Sequence, residues 1–92
     1  MIGGFKHRGL KRFYEHNDPR RLPADMVNRI RAILARLSIA QSIEDLDVPE
    51  YHIHALQGDR KGTWSVTVRA NWRMTFRFED GYVVDLDFED YH

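Results

Sequence analysis

Four side chains that carry or share protons stand together at the end of the sequence. Glu89, Asp90, Tyr91 and His92 follow directly on a stretch that alternates polar and apolar residues, 85–88. Histidine titrates near neutral pH and serves as a general base or a general acid. The types and spacing of these residues indicate proton-transfer chemistry at the end of a strand.

Three further residues are candidates for the same site, because two of them carry a positive charge and the third carries another imidazole. Arg69 and Arg73 flank residues 70–72, and His54 precedes them in the chain. A guanidinium group binds phosphate through paired N–H donors. RNA brings its own nucleophile, the ribose 2′-hydroxyl, so its cleavage needs a base, an acid and cations around phosphorus. These residue types fit a metal-free ribonuclease.

Other interpretations of the same residues stay open. Arginines on a sheet face are often simply solvated, and terminal residues often fray. His52 and His54 would share one face of a strand, which is a weak metal-ligand spacing. A metal-dependent hydrolase that uses these two histidines and His92 is therefore an alternative.

Composition predicts a small globular protein. The chain has 92 residues, of which 42% are hydrophobic, and this predicts one domain over 1–92 with a thin core. The sequence contains no cysteine, which excludes disulfides and suits a reducing compartment. No apolar run is long enough for a signal peptide or a membrane span, so we expect a cytoplasmic protein without a membrane partner.

The zero net charge hides four blocks of opposite sign. Residues 1–36 hold nine Lys or Arg against three acids, and residues 60–77 hold five Lys or Arg and no acid. Residues 37–59 hold five acids and residues 78–92 hold six, without Lys or Arg. The two basic blocks predict a surface that faces phosphate groups.

Periodicity predicts two helices followed by an antiparallel sheet. Leu10, Phe13 and Tyr14 repeat at helical spacing and predict a helix over 6–16, and a longer apolar stripe predicts a second helix over 23–38. From His52 onward the period changes to two. The sequence therefore predicts an α+β fold, with N-terminal helices packed on an antiparallel β-sheet.

Matching of apolar faces predicts the register of the first hairpin. A three-residue loop at 70–72 would place Val66 opposite Phe76. The same loop would place Arg69 opposite Arg73 on the polar face, where like charges are unfavourable unless they hold an anion.

The second hairpin turns at Asp80-Gly81. A plain two-residue turn would place Phe76 opposite Asp85, so we predict a three-residue loop or a tight turn with a bulge. The predicted pairs are Phe76 with Leu86, Met74 with Phe88, Arg77 with Asp85, and Arg73 with Glu89. Residues 90–92 would then lie beside the 70–72 loop.

Two motifs resemble a known family. The stretch "GDRKGTWSVTVRANWRMTF" at 58–76, followed by the ending "EDYH", is similar to the HigB-type toxins, a branch of the RelE superfamily. The similarity begins at "MIGGFKHRGLKRFYE" and runs nearly end to end. It implies a RelE-like microbial ribonuclease fold and a metal-free, cofactor-free endoribonuclease that cleaves messenger RNA in the ribosomal A site. It also implies a HigA-like helix-turn-helix antitoxin, through which alone the toxin would reach operator DNA.

The resemblance also implies roles for individual residues. Two arginines would hold the phosphate, His92 with His54 beside it would transfer protons, Asp90 would orient a histidine or the RNA, and Tyr91 would pack on a base. The implied catalytic positions are His54, Arg69, Arg73, Asp90, Tyr91 and His92. The implied contacts to RNA and the ribosome are Lys6, Arg8, Lys11, Arg12, Arg20, Arg21, Arg60 and Lys61.

One position departs from the family pattern. Relatives often carry a lysine where this chain has Gln57. Loss of that cation predicts weaker phosphate binding, for which Arg60 or Lys61 would compensate. The alternative is a catalytically weakened or inactive toxin-fold module that still binds an antitoxin.

Overall fold

The computed structural model describes residues 1–90, which form two α-helices and one four-stranded antiparallel sheet. The helices are α1 (Arg8–His16) and α2 (Val27–Ile39), and the strands are β1 (His54–Ala55), β2 (Trp64–Arg69), β3 (Trp72–Glu79) and β4 (Tyr82–Asp90). Short 3-10 turns cover Ala24–Met26, Ile43–Leu46, Pro49–Tyr51 and Gly58–Arg60. The predicted α+β fold is confirmed. Within residues 1–90 no helix is long and apolar enough to cross a membrane.

Helix α1 begins two residues later than predicted because His7 caps it. The His7 Nδ1 atom accepts a hydrogen bond from the Leu10 backbone N–H at 3.1 Å, which satisfies one of the unpaired donors at the helix start. The His7 ring also meets Phe88 edge-on, with ring centroids 5.8 Å apart. At the other end Asn17 adopts a left-handed conformation, with φ of 54°, and ends the helix.

Helix α2 supplies much of the hydrophobic core. Its predicted start at residue 23 corresponds to the 3-10 turn Ala24–Met26, and the α-helix proper begins at Val27. Its buried stripe contains Ile30, Ile33, Leu34 and Leu37. This stripe packs with Val66, Met74, Phe76, Leu86 and Phe88 of the sheet in one cluster.

Two isoleucines of α2 provide a matched test of this packing. Ile33 is fully buried, whereas Ile39 is 75% exposed. We expect Ile33→Ala to lower the free energy of unfolding by about 2–5 kcal/mol because it leaves a cavity. Ile39→Ala should change it by no more than about 0.5 kcal/mol. Urea unfolding of both variants measures the difference, and equal effects would contradict the placement of α2 on the sheet.

The sheet has the order β1-β2-β3-β4, and the N-terminal segment extends it beyond β4. Ile2 bridges to Val83 and Phe5 to Leu86, both in parallel. The Gly3 N–H donates to the Val83 carbonyl at 2.7 Å. Residues 2–5 therefore cover much of an edge that would otherwise expose unpaired backbone groups, an arrangement that the sequence pattern did not predict.

The predicted register of the first hairpin is wrong. The turn contains two residues, Ala70 and Asn71, and Val66 pairs with Met74 rather than Phe76. A β-bulge lies between Thr67, opposite Arg73, and Arg69, opposite Trp72. Because the bulge adds one residue to β2, it changes the face on which the following side chain lies.

The predicted register of the second hairpin is correct at its open end. Met74 pairs with Phe88, and Arg73 pairs with Glu89. The turn is tight, at Asp80-Gly81, and a bulge lies in the part of β4 that contains Asp85. That residue has φ of 54°, and the bulge places Arg77 opposite Val84. The predicted pair of Arg77 with Asp85 is therefore wrong.

Candidate active site on the polar face of the sheet

Cross-strand pairing assembles polar residues on the sheet face opposite the core. One row across the four strands contains His54, Ser65, Thr75 and Asp87. The next row contains Thr67, Arg73 and Glu89. Directly paired residues of an antiparallel sheet project to the same side, so these side chains form one polar face.

Arg60 reaches onto this polar face from the turn that follows β1. Its Nη1 and Nη2 atoms donate to the two carboxylate oxygens of Glu89 at 2.9 and 2.6 Å. The Thr75 hydroxyl donates to the same carboxylate at 2.5 Å and lies 3.5 Å from Arg60 Nη2. A paired, charge-assisted contact of this kind is stronger than a neutral hydrogen bond.

The Arg60 contact changes the titration of Glu89. Hydrogen bonding from Arg60, followed by that from Thr75, lowers the pKa of Glu89 below its ordinary value of 4.5, and partial burial opposes the change. Because the pKa of Glu89 is lower in the folded state than in the unfolded state, its contact stabilises the protein at any pH above the unfolded-state pKa. This stabilisation is lost as the pH falls through the folded-state pKa.

We therefore expect a specific pH dependence of the Glu89→Gln variant. The difference in free energy of unfolding between wild type and variant should stay constant from about pH 8 to about pH 5. It should shrink below about pH 4.5, where the unfolded carboxyl begins to protonate. Chemical denaturation of wild type and variant at pH 7 and at pH 3 measures this difference in free energy of unfolding. A difference that is the same at both pH values would contradict the ionised contact.

A polar cleft of about 190 Å³ opens beside this contact. It is lined by three cationic side chains, two carboxylates and two threonines: Lys6, Arg60, Arg77, Asp59, Asp85, Thr63 and Thr75. The cleft therefore brings Lys6 and Arg60, two of the predicted RNA-contacting residues, to one place on the sheet.

The two arginines of the 69–73 segment do not lie opposite each other. Arg69 follows the bulge, shares a face with Trp72, and forms an ion pair with Asp25 at the start of the helical layer. Arg73 lies on the polar face, where its Nη1 atom donates to the Ala70 carbonyl at 2.5 Å. The predicted Arg69–Arg73 pair is thus wrong, because the bulge sends the two side chains to opposite faces.

His54 and Asp90 lie at opposite sides of the sheet. His54 is exposed on β1, opposite Ser65, and Asp90 is the last residue of β4, opposite Trp72. Three inter-strand spacings separate β1 from β4, which amounts to about 14 Å. Because directly paired residues project to the same side of a sheet, Asp90 lies on the face that carries Trp72 and Arg69, whereas His54 lies on the polar face. Tyr91 and His92, the other predicted tail residues, lie outside the described residues.

The predicted histidine pair of the metal-site alternative is not formed. His52 ends the Pro49–Tyr51 turn with φ of 44°, and β1 begins only at His54. The two imidazoles therefore do not share a strand face. Residues 1–90 contain no group of three or more His, Cys, Asp or Glu placed to hold a metal ion.

The remaining basic candidates are exposed, and some are paired with acids. Arg12 and Arg20 contact Asp18 at 3.1 and 2.9 Å. Hydrogen bonds from the Arg20 side chain and backbone, and a smaller one from Arg12, hold the pKa of Asp18 well below its usual range. Exposed candidates beyond this contact are Arg8, Lys11, Arg21 and Lys61.

Two polar-face residues were absent from the predicted site. Thr75 is almost fully buried beneath Arg60, and Glu89 carries the Arg60 contact. The correctly predicted pairing of Glu89 with Arg73 already placed that carboxylate on the polar face, and this was the available signal. No periodic sequence pattern links Glu89 to Arg60, which lies in the turn Gly58–Arg60 and not on a neighbouring strand.

Comparison of the whole sequence with known proteins gives matches along its full length. A family model described as the RelE-like toxin of the type II toxin–antitoxin system HigB matches residues 3–92. A protein named endoribonuclease HigB, from Proteus vulgaris, is 47% identical over 92 residues, which is all of both chains. A protein named toxin HigB-1, from Vibrio cholerae, is 32% identical and covers 88% of this chain and 87% of its own.

Solved structures share the fold at low sequence identity. A point mutant of YafQ from E. coli superposes with a TM-score of 0.63 at 17% identity, covering 98% of this chain and 93% of its own. A YoeB–YefM complex from Staphylococcus aureus contains a chain with a TM-score of 0.60 at 15% identity, covering 100% and 98%. These similarities support the RelE-like fold.

Proposed function

Because the chain belongs to the HigB-like family of RelE-like toxins from type II toxin–antitoxin systems, we propose that it is a ribosome-dependent endoribonuclease. It cleaves messenger RNA in the A site. The observation that carries this proposal is the 47% identity over the whole chain to a protein named endoribonuclease HigB. The polar face that carries His54, Arg73 and Glu89 supports it, since single-stranded RNA binds in grooves that hold its backbone near cationic side chains.

The proposed reaction is an attack of the ribose 2′-hydroxyl on the adjacent phosphorus. The P–O5′ bond breaks as the new P–O2′ bond forms, and a cyclic 2′,3′-phosphate and a 5′-hydroxyl result. His92 transfers a proton, with His54 as the second acid–base group, and Asp90 orients a histidine or the RNA. Tyr91 packs on a base. Histidine and arginine supply the charge and the protons, so the proposed steps use neither a metal nor a cofactor.

Arg69 and Arg73 receive different roles because they lie on opposite faces of the sheet. Arg73 shares the polar face with Glu89, so it is our first candidate for stabilising the charge on phosphorus. Arg69 lies on the helix side beside Asp25 and reaches RNA only around the end of the hairpin. Lys6 in the cleft, together with Arg8, Lys11, Arg12, Arg20, Arg21 and Lys61, forms the proposed surface towards RNA and the ribosome. The Arg60 side chain is instead bound to Glu89.

The proposed partners follow from the family. A type II system pairs its toxin with a protein antitoxin, here a HigA-like helix-turn-helix protein, and the toxin meets operator DNA only through it. The proposed place of action is the cytoplasm, where translating ribosomes are found. Co-purification with the co-expressed antitoxin tests the partner independently of cleavage.

Cleavage of a defined messenger RNA, with and without programmed ribosomes, tests the proposed activity. We expect cuts only on ribosomes that hold a codon in the A site. Treatment of the purified toxin with a chelator, which is removed before the ribosomes are added, should leave the rate unchanged. Cleavage of free RNA at the same rate would contradict ribosome dependence, and cleavage lost with the chelator would favour the metal-dependent alternative.

Gln57 supports a second candidate, a weakened toxin that mainly binds its antitoxin. Gln57 is exposed and directly precedes the Gly58–Arg60 turn, at the position where the family resemblance implies a lysine. We expect Gln57→Lys to raise the cleavage rate severalfold, since one well-placed cation is worth about 1–2 kcal/mol near a phosphate. Gln57→Met, of similar length without charge, is the control. No cleavage by wild type, with cleavage by Gln57→Lys, would favour the weakened module.

A further inference from the structure

The turn that carries Arg60 has a compact backbone. Gly58 and Gly62 adopt positive φ of 66° and 96°, which favours glycine. Within the turn the Lys61 N–H donates to the Gly58 carbonyl at 3.1 Å, and the Thr63 N–H donates to the Arg60 carbonyl at 3.0 Å. The starting point of the Arg60 side chain is therefore well defined.

The contact made by Arg60 connects the two ends of the candidate site. Arg60 follows β1, which carries His54, and Glu89 directly precedes Asp90 on β4. The side chains are 39% and 24% exposed, so the contact is partly shielded from water. Thr75 of β3, which is almost fully buried, adds its hydroxyl beneath the two charged groups.

We propose that Arg60, Glu89 and Thr75 form a positioning clamp that fixes the end of β4, and with it Asp90, relative to the His54 strand. The clamp spans the sheet, since it joins the turn after β1 to β4 at the other side of the strand order. Glu89 and Thr75 are positioning residues in this proposal, since they act through Arg60 and the backbone of β4. The proposal rests on the proposed function for its catalytic consequence, but the clamp itself is a property of the folded chain.

A competing interpretation makes Arg60 a direct phosphate ligand that Glu89 partly neutralises. The two interpretations differ in the effect of Glu89→Gln. Loss of a positioning carboxylate loosens the end of β4 at Glu89 and Asp90 and slows the reaction, because small displacements of catalytic groups are costly. Loss of a neutralising carboxylate would instead make Arg60 more available and would keep or increase the rate.

The first measurement compares kcat and KM for Arg60→Gln, Glu89→Gln and the double variant on programmed ribosomes. We expect each single variant to lower kcat about tenfold to a hundredfold, with KM within about twofold of wild type. The double variant should be no slower than the slower single variant, because both changes break the same contact. Glu79→Gln is the matched control, since that carboxylate pairs with Arg77 at 3.4 Å and is more exposed.

The second measurement does not depend on activity. Amide hydrogen exchange of Glu89→Gln should accelerate roughly threefold to tenfold, both at Lys61 and Thr63 and at the paired ends of β3 and β4. Glu79→Gln should leave these positions unchanged. Unchanged exchange in Glu89→Gln, or a retained or increased kcat, would overturn the clamp. An inactive wild type would contradict the proposed function alone, and exchange would then decide the clamp by itself.

Discussion

Replacement of His92 by glutamine is expected to lower the rate of messenger RNA cleavage on the ribosome by about 10²- to 10⁴-fold, the usual contribution of one general acid or base. Glutamine keeps hydrogen-bonding capacity but cannot carry a proton at neutral pH. Growth arrest on induction should be lost in parallel. Single-turnover cleavage on programmed ribosomes measures the chemical step directly.

The control for this variant is His16→Gln. His16 is the last residue of α1 and lies on the surface, away from the polar face of the sheet. The His16→Gln variant should cleave messenger RNA at the wild-type rate. Full activity of His92→Gln, in a protein that unfolds at the wild-type temperature, would remove His92 from the proposed acid–base pair. His54 would then be the next candidate to replace.

Arg73→Ala is expected to lose much more activity than Arg69→Ala. Arg73 lies on the polar face, opposite both Thr67 and Glu89, and removal of one preorganised charge donor costs about 10²- to 10³-fold. Arg69 points to the helix side and pairs with exposed Asp25, so its removal should cost about tenfold or less. The same single-turnover assay ranks the two variants.

Asp25→Asn completes this comparison because it removes the partner of Arg69 without touching the sheet. If Arg69 acts on RNA only after leaving Asp25, this variant should be faster than wild type. If Arg69 serves mainly in the exposed ion pair, little should change, since such pairs contribute about 0–1 kcal/mol. Equal losses for Arg69→Ala and Arg73→Ala would contradict the assignment of the two arginines to different faces.

The sequence by itself determined the elements and their order. The apolar stripe that contains Ile30, Ile33 and Leu37 predicted the position of α2 because a helix repeats every 3.6 residues and buries one face. Matching of apolar faces across Asp80-Gly81, with one extra residue allowed for a bulge, predicted that Met74 would meet Phe88 and that Arg73 would meet Glu89. In these segments local pattern and final packing agree, so the outcome could be read from neighbouring residues.

The tertiary structure alone decided the features that break the local pattern. The bulge before Arg69 keeps Val68 buried while it turns Arg69 to the helix side, and an alternating sequence does not encode such an extra residue. Pairing of residues 2–5 with β4 depends on an edge that exists only once the sheet is assembled. Arg60 meets Glu89 across β2 and β3 because the chain folds back over its own sheet, and no periodicity connects residues brought together in that way.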